Sequence, residues 1–351
     1  MDEISRRAFA AGAASLAAGT WAATASGADG GPPDFAVEDQ RPFGGQTRRL
    51  KVLNRGRYVT SLIFATDYPT HFRLKPELYP VLTPAGLPVT DTHSYCFIHH
   101  QSIMAGHGKV SVPGRERPVD FYRKLNFPQE NREDTFRTAF NLFDMGPSGI
   151  QLITSAEWEG GTSARIDLEL EWRTRLWNDP GGETLLRERR RYLITQRGPL
   201  TLVDHFTLLA PVGPSAVLQA DRHSFCGVRV NDLIDPEDGG LMRDSEGRVN
   251  PSGDYWDAEG ERRAPRWIDC TGRIGGALGG IAMMGHPGNP RNQHYSREWG
   301  LMIVSPTLGD DLRITPEEPL RFAARCAAHD GELAPETADR LAEEFAGAEL
   351  L

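Results

Sequence analysis

The chain is short of the features that most readily assign a function. Only four of its 351 residues are cysteine, at positions 96, 226, 270 and 326, and no C-x-x-C occurs. That excludes a thioredoxin-type redox motif. Positive charge is also scarce: 39 Lys and Arg face 48 Asp and Glu, a formal net charge of −9. Such a surface has the wrong sign for nucleic-acid phosphates. After residue 30 no apolar run approaches the ~20 residues a membrane-spanning helix needs. Helical periodicity is nearly absent, and only residues 335–345 carry it. There Ala338, Leu341 and Phe345 share a face and Glu336 lies in the first turn.

What is present first is an address. Ser5-Arg6-Arg7-Ala8-Phe9 is a twin-arginine pattern, followed by an alanine-rich stretch in which Ala23 and Ala25 offer an A-x-A cleavage site. Residues 1–25 are therefore expected to be a signal peptide, with the mature protein periplasmic or secreted. Residues 26–45, rich in Gly, Pro and Asp, read as a linker. Residues 46–351 read as one domain. Export permits disulfides, and four cysteines admit three pairings, with four separately buried thiols as the alternative.

Strand signals fill that domain. Residues 49–53 and 58–65 flank an Asn54-Arg55-Gly56 turn, an opening hairpin. Ile166, Leu168, Leu170 and Trp172 alternate with Arg165, Asp167, Glu169, Glu171 and Arg173, the pattern of a half-buried strand. Residues 185–195 and 200–209 form a second hairpin around Gln196-Arg197-Gly198-Pro199. Further strands are expected at 149–158, 216–219, 227–230, 279–284, 301–305 and 320–324. Many strands and one helix predict an all-β, antiparallel β-sandwich or barrel with a short C-terminal helix. Long loops are expected at 66–91, 114–134 and 232–266.

Chemistry concentrates between Asp91 and Gly108. This window holds His93, His99, His100 and His107, four of ten histidines, where an even spread would place about half of one. Histidine titrates near neutrality and is the commonest metal ligand. The crowding points to acid–base work, metal binding or recognition of a polyhydroxylated ligand. If His99 and His100 lie on a strand, they point to opposite faces. Asp91, Asp120, Glu157, Glu188 and Asp204 are the available carboxylates for a metal, but no ligand spacing is diagnostic. A metal held by the histidine cluster stays open, and no other cofactor is expected. Glu188 and Arg190 share a strand face. Two polar loops, Asp221-Arg222-His223-Ser224 and Gly285-His286-Pro287-Gly288-Asn289-Pro290-Arg291-Asn292, add further histidines.

Several of these segments resemble a secreted bacterial family labelled methane oxygenase PmoA-like. The matching residues are His99-His100, His107-Gly108, Asp120-Phe121-Tyr122 and Gly227-Val228-Arg229-Val230. They continue with Trp267-Ile268-Asp269-Cys270-Thr271-Gly272, His286-Pro287-Gly288-Asn289-Pro290-Arg291 and His329-Asp330-Gly331. The chain departs from the pattern at Gln101-Ser102, where the family has Arg-Gly, and at Arg222-His223, where it has Lys and an acid. The membrane subunit of methane monooxygenase consists of transmembrane helices, which this chain lacks after the signal. The resemblance implies instead a β-sandwich similar to galactose-mutarotase supersandwiches, on which a histidine acid and a carboxylate base act on a sugar carbon.

The combined expectation is an exported carbohydrate-active protein with one cleft for a mono- or oligosaccharide. His100, His107, Glu188 and His286 are the expected catalytic groups, with Glu188 as base. His99, Arg190, Arg222, His223, Asn289 and Arg291 are the expected ligand contacts. Isomerisation, elimination and hydrolysis all fit. The alternatives are a non-catalytic sugar-binding or envelope protein and a metal-dependent oxygenase.

Overall fold

A computed structural model describes residues 34–41, 47–65, 75–92, 99–122, 148–175, 182–255 and 264–351. The signal-peptide region, His93 and Cys96 lie outside them. The strands are β1 Phe35–Gln40, β2 Thr47–Asn54, β3 Arg57–Ala65, β4 Glu77–Leu78, β5 Ile103–His107, β6 Val110–Ser111 and β7 Ser148–Glu159. Next come β8 Ala164–Arg175, β9 Thr184–Arg197, β10 Leu200–Pro211, β11 Ala216–Leu218, β12 Ser224–Arg229, β13 Leu241–Asp244 and β14 Gly253–Tyr255. The last are β15 Trp267–Ile274, β16 Ala277–Gly285, β17 Gln293–Arg297, β18 Leu301–Ser305, β19 Leu312–Ile314 and β20 Leu320–Asp330, before helix α1, Pro335–Ala346.

These strands make two large antiparallel sheets. One has nine strands in the order β1-β2-β3-β4-β5-β12-β18-β17-β14, the other eight in the order β13-β15-β16-β20-β10-β9-β8-β7. A small third sheet runs β19-β11-β6. The expected alternation is realised in β8, where Ile166, Leu168, Leu170 and Trp172 are all buried. Their faces meet the inner face of the nine-stranded sheet. Phe225 of β12 stacks on Trp172 at 6.3 Å and meets Phe322 of β20 at 5.1 Å. One apolar cluster runs through both sheets. The domain is an antiparallel β-sandwich.

The hairpin turn at Arg55 and Gly56 has φ of 48° and 75°. Two left-handed residues match the right-handed twist of the strands they join. Phe35–Gln40, inside the stretch expected to be a linker, instead pairs residue for residue with β2, from Phe35↔Asn54 to Gln40↔Arg49. The loop expected at 232–266 holds two single-turn helices, Asp232–Ile234 and Pro236–Asp238, besides β13 and β14. Cys226, Cys270 and Cys326 are buried and unbonded, so none of the three pairs with another.

α1 covers the outer face of the eight-stranded sheet. Ala338, Leu341 and Phe345 close over Leu200, Leu202, Phe206, Ala323 and Ala327. Burying a Leu or Phe side chain contributes roughly 1.5–3 kcal/mol, so this stripe alone suffices to hold a 12-residue helix. Trp267 donates to Asp339 at 2.7 Å and fixes the helix along its axis.

Candidate functional site

Among the described residues, the outer face of the nine-stranded sheet carries a cluster of rings, where the eight-stranded sheet carries α1. In the β5–β12 ladder His107 faces Ser224 and Ile103 faces Val228, which brings the segment before β5 beside the segment before β12. His99 and His100 lie in a turn before β5, not on a strand. Their rings pack edge to face at 4.4 Å, so the pair stays together instead of dividing between two faces. His99 also meets the His223 ring at 5.7 Å and Tyr122 at 6.0 Å, and Tyr122 meets His223 at 5.5 Å. Lys75 holds this floor from beneath. Its Nζ donates to the carbonyls of His99 and Tyr122 at 3.1 and 2.7 Å.

His223 is half-buried, and its orientation is set by Asp221. Asp221 Oδ1 lies 3.0 Å from His223 Nδ1 and accepts the His223 backbone N–H at 3.1 Å. A carboxylate only accepts, so Nδ1 carries the proton and Nε2 keeps a free electron pair, the tautomer a general base needs. Burial opposes ionisation of Asp221, but the hydrogen bonds and charge of His223 outweigh it and hold the carboxyl below the usual carboxylate range. A Cβ at Gly108 would lie 2.4 Å from Asp221 Oδ2, so only glycine leaves room for this carboxylate.

Two buried polar atoms of this cluster, Tyr122 OH and Asp221 Oδ2, make no hydrogen bond. Burial pushes the Tyr122 phenol well above its ordinary value, so it remains a proton donor. His100 is held well below 6.5 by burial and by the charges of His99, Arg229, His223 and Lys75. Arg222 is exposed at the rim, its guanidinium 5.8 Å from the Tyr295 ring.

His107 stands behind this face as a brace. Its Nδ1 accepts from the Lys109 N–H at 3.1 Å, so Nε2 carries the proton toward Thr307 Oγ1 at 3.2 Å. Thr307 in turn takes the Asp221 N–H on its carbonyl at 2.9 Å and bonds Ser224 Oγ at 2.7 Å. Burial brings the His107 pKa down to about 4.

The expected single cleft does not form. Glu188 and Arg190 do share a face, but that face is the sandwich interior, and both side chains are fully buried. Glu188 Oε1 accepts from Arg190 Nε at 2.7 Å and Thr207 Oγ1 at 2.9 Å, and Oε2 from Arg190 Nη2 and Trp172 Nε1, both at 2.8 Å. No oxygen of this carboxylate is left for a substrate proton, so the expectation of Glu188 as base is corrected, and with it Arg190 as a ligand contact. His286 lies with α1 on the other sheet. Its ring packs on Phe345 at 5.2 Å, and its Nδ1 takes the Gly288 N–H at 3.0 Å. Asn289 spends its amide on Ala323 and Asn292. Arg291 donates to the carbonyls of Pro306 and Asp311. His286 and Asn289 build a loop against β20 and α1, while Arg291 ties that loop to the segment of Pro306 and Asp311, whose Thr307 lies behind the ring cluster. Of the expected residues, His99, His100, Arg222 and His223 come together with His107 behind them. Tyr122 and Asp221 were missed as site residues, although Asp221-x-His223 spacing could have flagged the pair.

Among the described residues, no three His, Cys, Asp or Glu side chains group as metal ligands. No helix there is long and apolar enough to cross a membrane.

Sandwich and ring cluster together define a large two-sheet β domain with a polar, ring-lined site on one outer face. The chain belongs to the family described as "Family of unknown function (DUF6807)", which it matches over residues 49–343. No curated protein matches the sequence. Among solved structures, it is similar to a galactose mutarotase-like protein of Clostridium acetobutylicum. Identity is 6%, 86% of this chain and 99% of the other are covered, and the TM-score is 0.37. A candidate mutarotase of Salmonella typhimurium gives 9% identity, 84% and 97% coverage and a TM-score of 0.34. A candidate aldose 1-epimerase of Escherichia coli K12 gives 10%, 85%, 100% and 0.32. At these values the likeness transfers no residue roles.

Proposed function

We propose that the protein is an exported carbohydrate-active enzyme whose site is the ring cluster on the nine-stranded sheet. The observation that carries this reading is the Asp221–His223 pair packed, with rings 5.5 Å apart, on Tyr122, whose buried hydroxyl makes no hydrogen bond. His223 Nε2 is the base, Asp221 fixes its tautomer and stabilises the imidazolium that forms, and Tyr122 supplies the proton. A base and an acid flanking one carbon can move a proton from one side to the other, which is the requirement of isomerisation or elimination beside a sugar carbonyl. The half-buried His99 ring offers a surface to the apolar side of a sugar, and Arg222 at the rim donates to its hydroxyls.

The test is a panel of mono- and oligosaccharides and oxidised sugars, read by thermal shift and by NMR of anomers and products. Turnover lost about 100-fold or more in His223→Ala, with ligand-induced stabilisation retained, is the expected result. Stabilisation without turnover in the wild type would make it a sugar-binding protein. No stabilisation by any sugar, or turnover untouched in both His223→Ala and Tyr122→Phe, would end the proposal.

A further inference from the structure

A second cavity lies where the two sheets part, away from the ring cluster. Its volume is about 410 Å³, and its walls are Pro265, Gly285, Pro287, His294, Ala342 and Ala346. They come from the start of β15, the end of β16, β17 of the other sheet, and α1. This is within the range of pockets that hold small ligands, roughly 300–1,000 Å³.

The wall formed by residues 285–292 is built to stay still. Asn292 Nδ2 donates to the His286 carbonyl at 2.7 Å, and its Oδ1 accepts from Asn289 Nδ2 at 2.7 Å. Asn289 is also locked to Ala323 through both its amide oxygen and its amide nitrogen, at 2.7 and 2.8 Å. The Asn292 amide is thus spent on holding the loop. Two buried ring nitrogens are left over, Nε2 of His286 in this loop and Nε2 of His294; of the two residues it is His294, 1% exposed, that lines the cavity. Such a group has lost its water without a replacement, and a bound partner would restore the hydrogen bond. Burial, with the charge of Arg248, holds this imidazole neutral, its pKa near 3.

The rim limits the partner's charge. Arg266 on one side, paired with Asp339 at 2.7 Å, disfavours a cation, while Glu343 on the helix disfavours an anion. Proline and alanine on the walls favour an apolar body. We propose that this cavity is a second binding site, for a small neutral molecule with an apolar body and one hydroxyl that hydrogen-bonds His294. The proposal is independent of the sugar reading.

Phenol is the probe, titrated into the full mature protein and followed by ¹H–¹⁵N spectra of the histidine rings. The expected result is a saturable shift of the His294 signals with those of His223 unmoved. Binding should be about tenfold weaker in His294→Phe and absent in Ala342→Trp, which fills the space beside α1. Thermal melting of both variants is measured alongside; if one fails to fold, the other decides. No saturable shift at His294, an undiminished affinity in both folded variants, or a shift centred on His223 would overturn the second site. So would a crystal soaked in phenol that shows only ordered water against His294.

Discussion

Glu188 with Arg190, and Asp221 with His223, are both pairs of a carboxylate and a base two residues apart, and the fold treats them differently. The first pair is sealed between the sheets, with four donors on one carboxylate. The second lies before a strand on an outer face, one oxygen on the imidazole and the other without a hydrogen bond. The Glu188 carboxylate, its oxygens fully engaged, is part of the scaffold, although Arg190 Nη1 beside it makes no hydrogen bond. A carboxylate left with an unmet valence beside an accessible ring is where a ligand belongs. Spacing alone does not separate the two cases; the neighbours do.

The sharpest way to break this comparison is to cut each pair. Glu188→Ala leaves the Arg190 charge buried without its counter-ion and strips Trp172 and Thr207 of their acceptor. A loss of roughly 3–5 kcal/mol is expected, read as a fall in the denaturant midpoint at unchanged slope. A loss under 1 kcal/mol would mean that water reaches the pair and that it is not scaffold.

Acid should act next most strongly, through the brace behind the ring cluster. The folded pKa of His107, about 4 against 6.5, is depressed. The unfolded chain therefore binds the proton first, and stability is full above pH 6.5 and falls as pH drops toward 4. The gap of 2.5 units at 1.36 kcal/mol each amounts to about 3 kcal/mol. His107→Gln should flatten this part of the pH–stability curve. An unchanged curve would place the acid sensitivity elsewhere, at His100, His205 or His294, whose rings burial also holds well below 6.5.

A smaller effect is expected where two outer-face motifs meet. His329 Nε2 lies 2.9 Å from Asp269 Oδ1, reaching from β20 across β16 to β15. It crosses directly over Gly280, where a Cβ would lie 2.7 Å from that nitrogen and 2.4 Å from the Cys270 carbonyl. Gly280→Ala should cost about 1–3 kcal/mol by overpacking. A neutral result would show that the strand can shift to admit a methyl.

How much of this could be read from the chain varies by element. β8 was legible because one of its faces is wet, so hydrophobicity alternates. β15 was not, because Trp267 to Gly272 are all buried and nothing alternates. β20 was expected to end at 324 but continues to Asp330 through Arg325 and His329, polar residues buried under α1 and across the sheet. The shared face of Glu188 and Arg190 was legible from the period of two, but periodicity does not say which face is inside. The histidine window contained His99 and His100, two members of the ring cluster. His223 was expected in the same cleft, but Tyr122 and Asp221 were not, because His99 and His223 are brought together by the β5–β12 pairing, which joins segments over a hundred residues apart.

The smallest stability change should come from the residue that matters most to the proposed chemistry. His223 keeps part of its side chain in solvent, and its ring bonds only Asp221. His223→Ala removes that bond and some ring contact, a cost of about 1 kcal/mol, well below the loss at Glu188. The Asp221 carboxylate it abandons is buried, but it keeps the His223 N–H, and the space the ring leaves admits water to it. Catalysis, if His223 is the base, should fall by about 100-fold or more at the same time. Asp221→Asn separates the roles further: an amide can present its N–H to Nδ1, which moves the ring proton to Nε2 and removes the free pair there. Turnover should then fall about as far as in His223→Ala, with the fold intact, and ¹⁵N shifts of the ring should report the exchanged tautomer. Turnover that survives Asp221→Asn with the tautomer exchanged would mean that His223 binds the substrate rather than takes its proton.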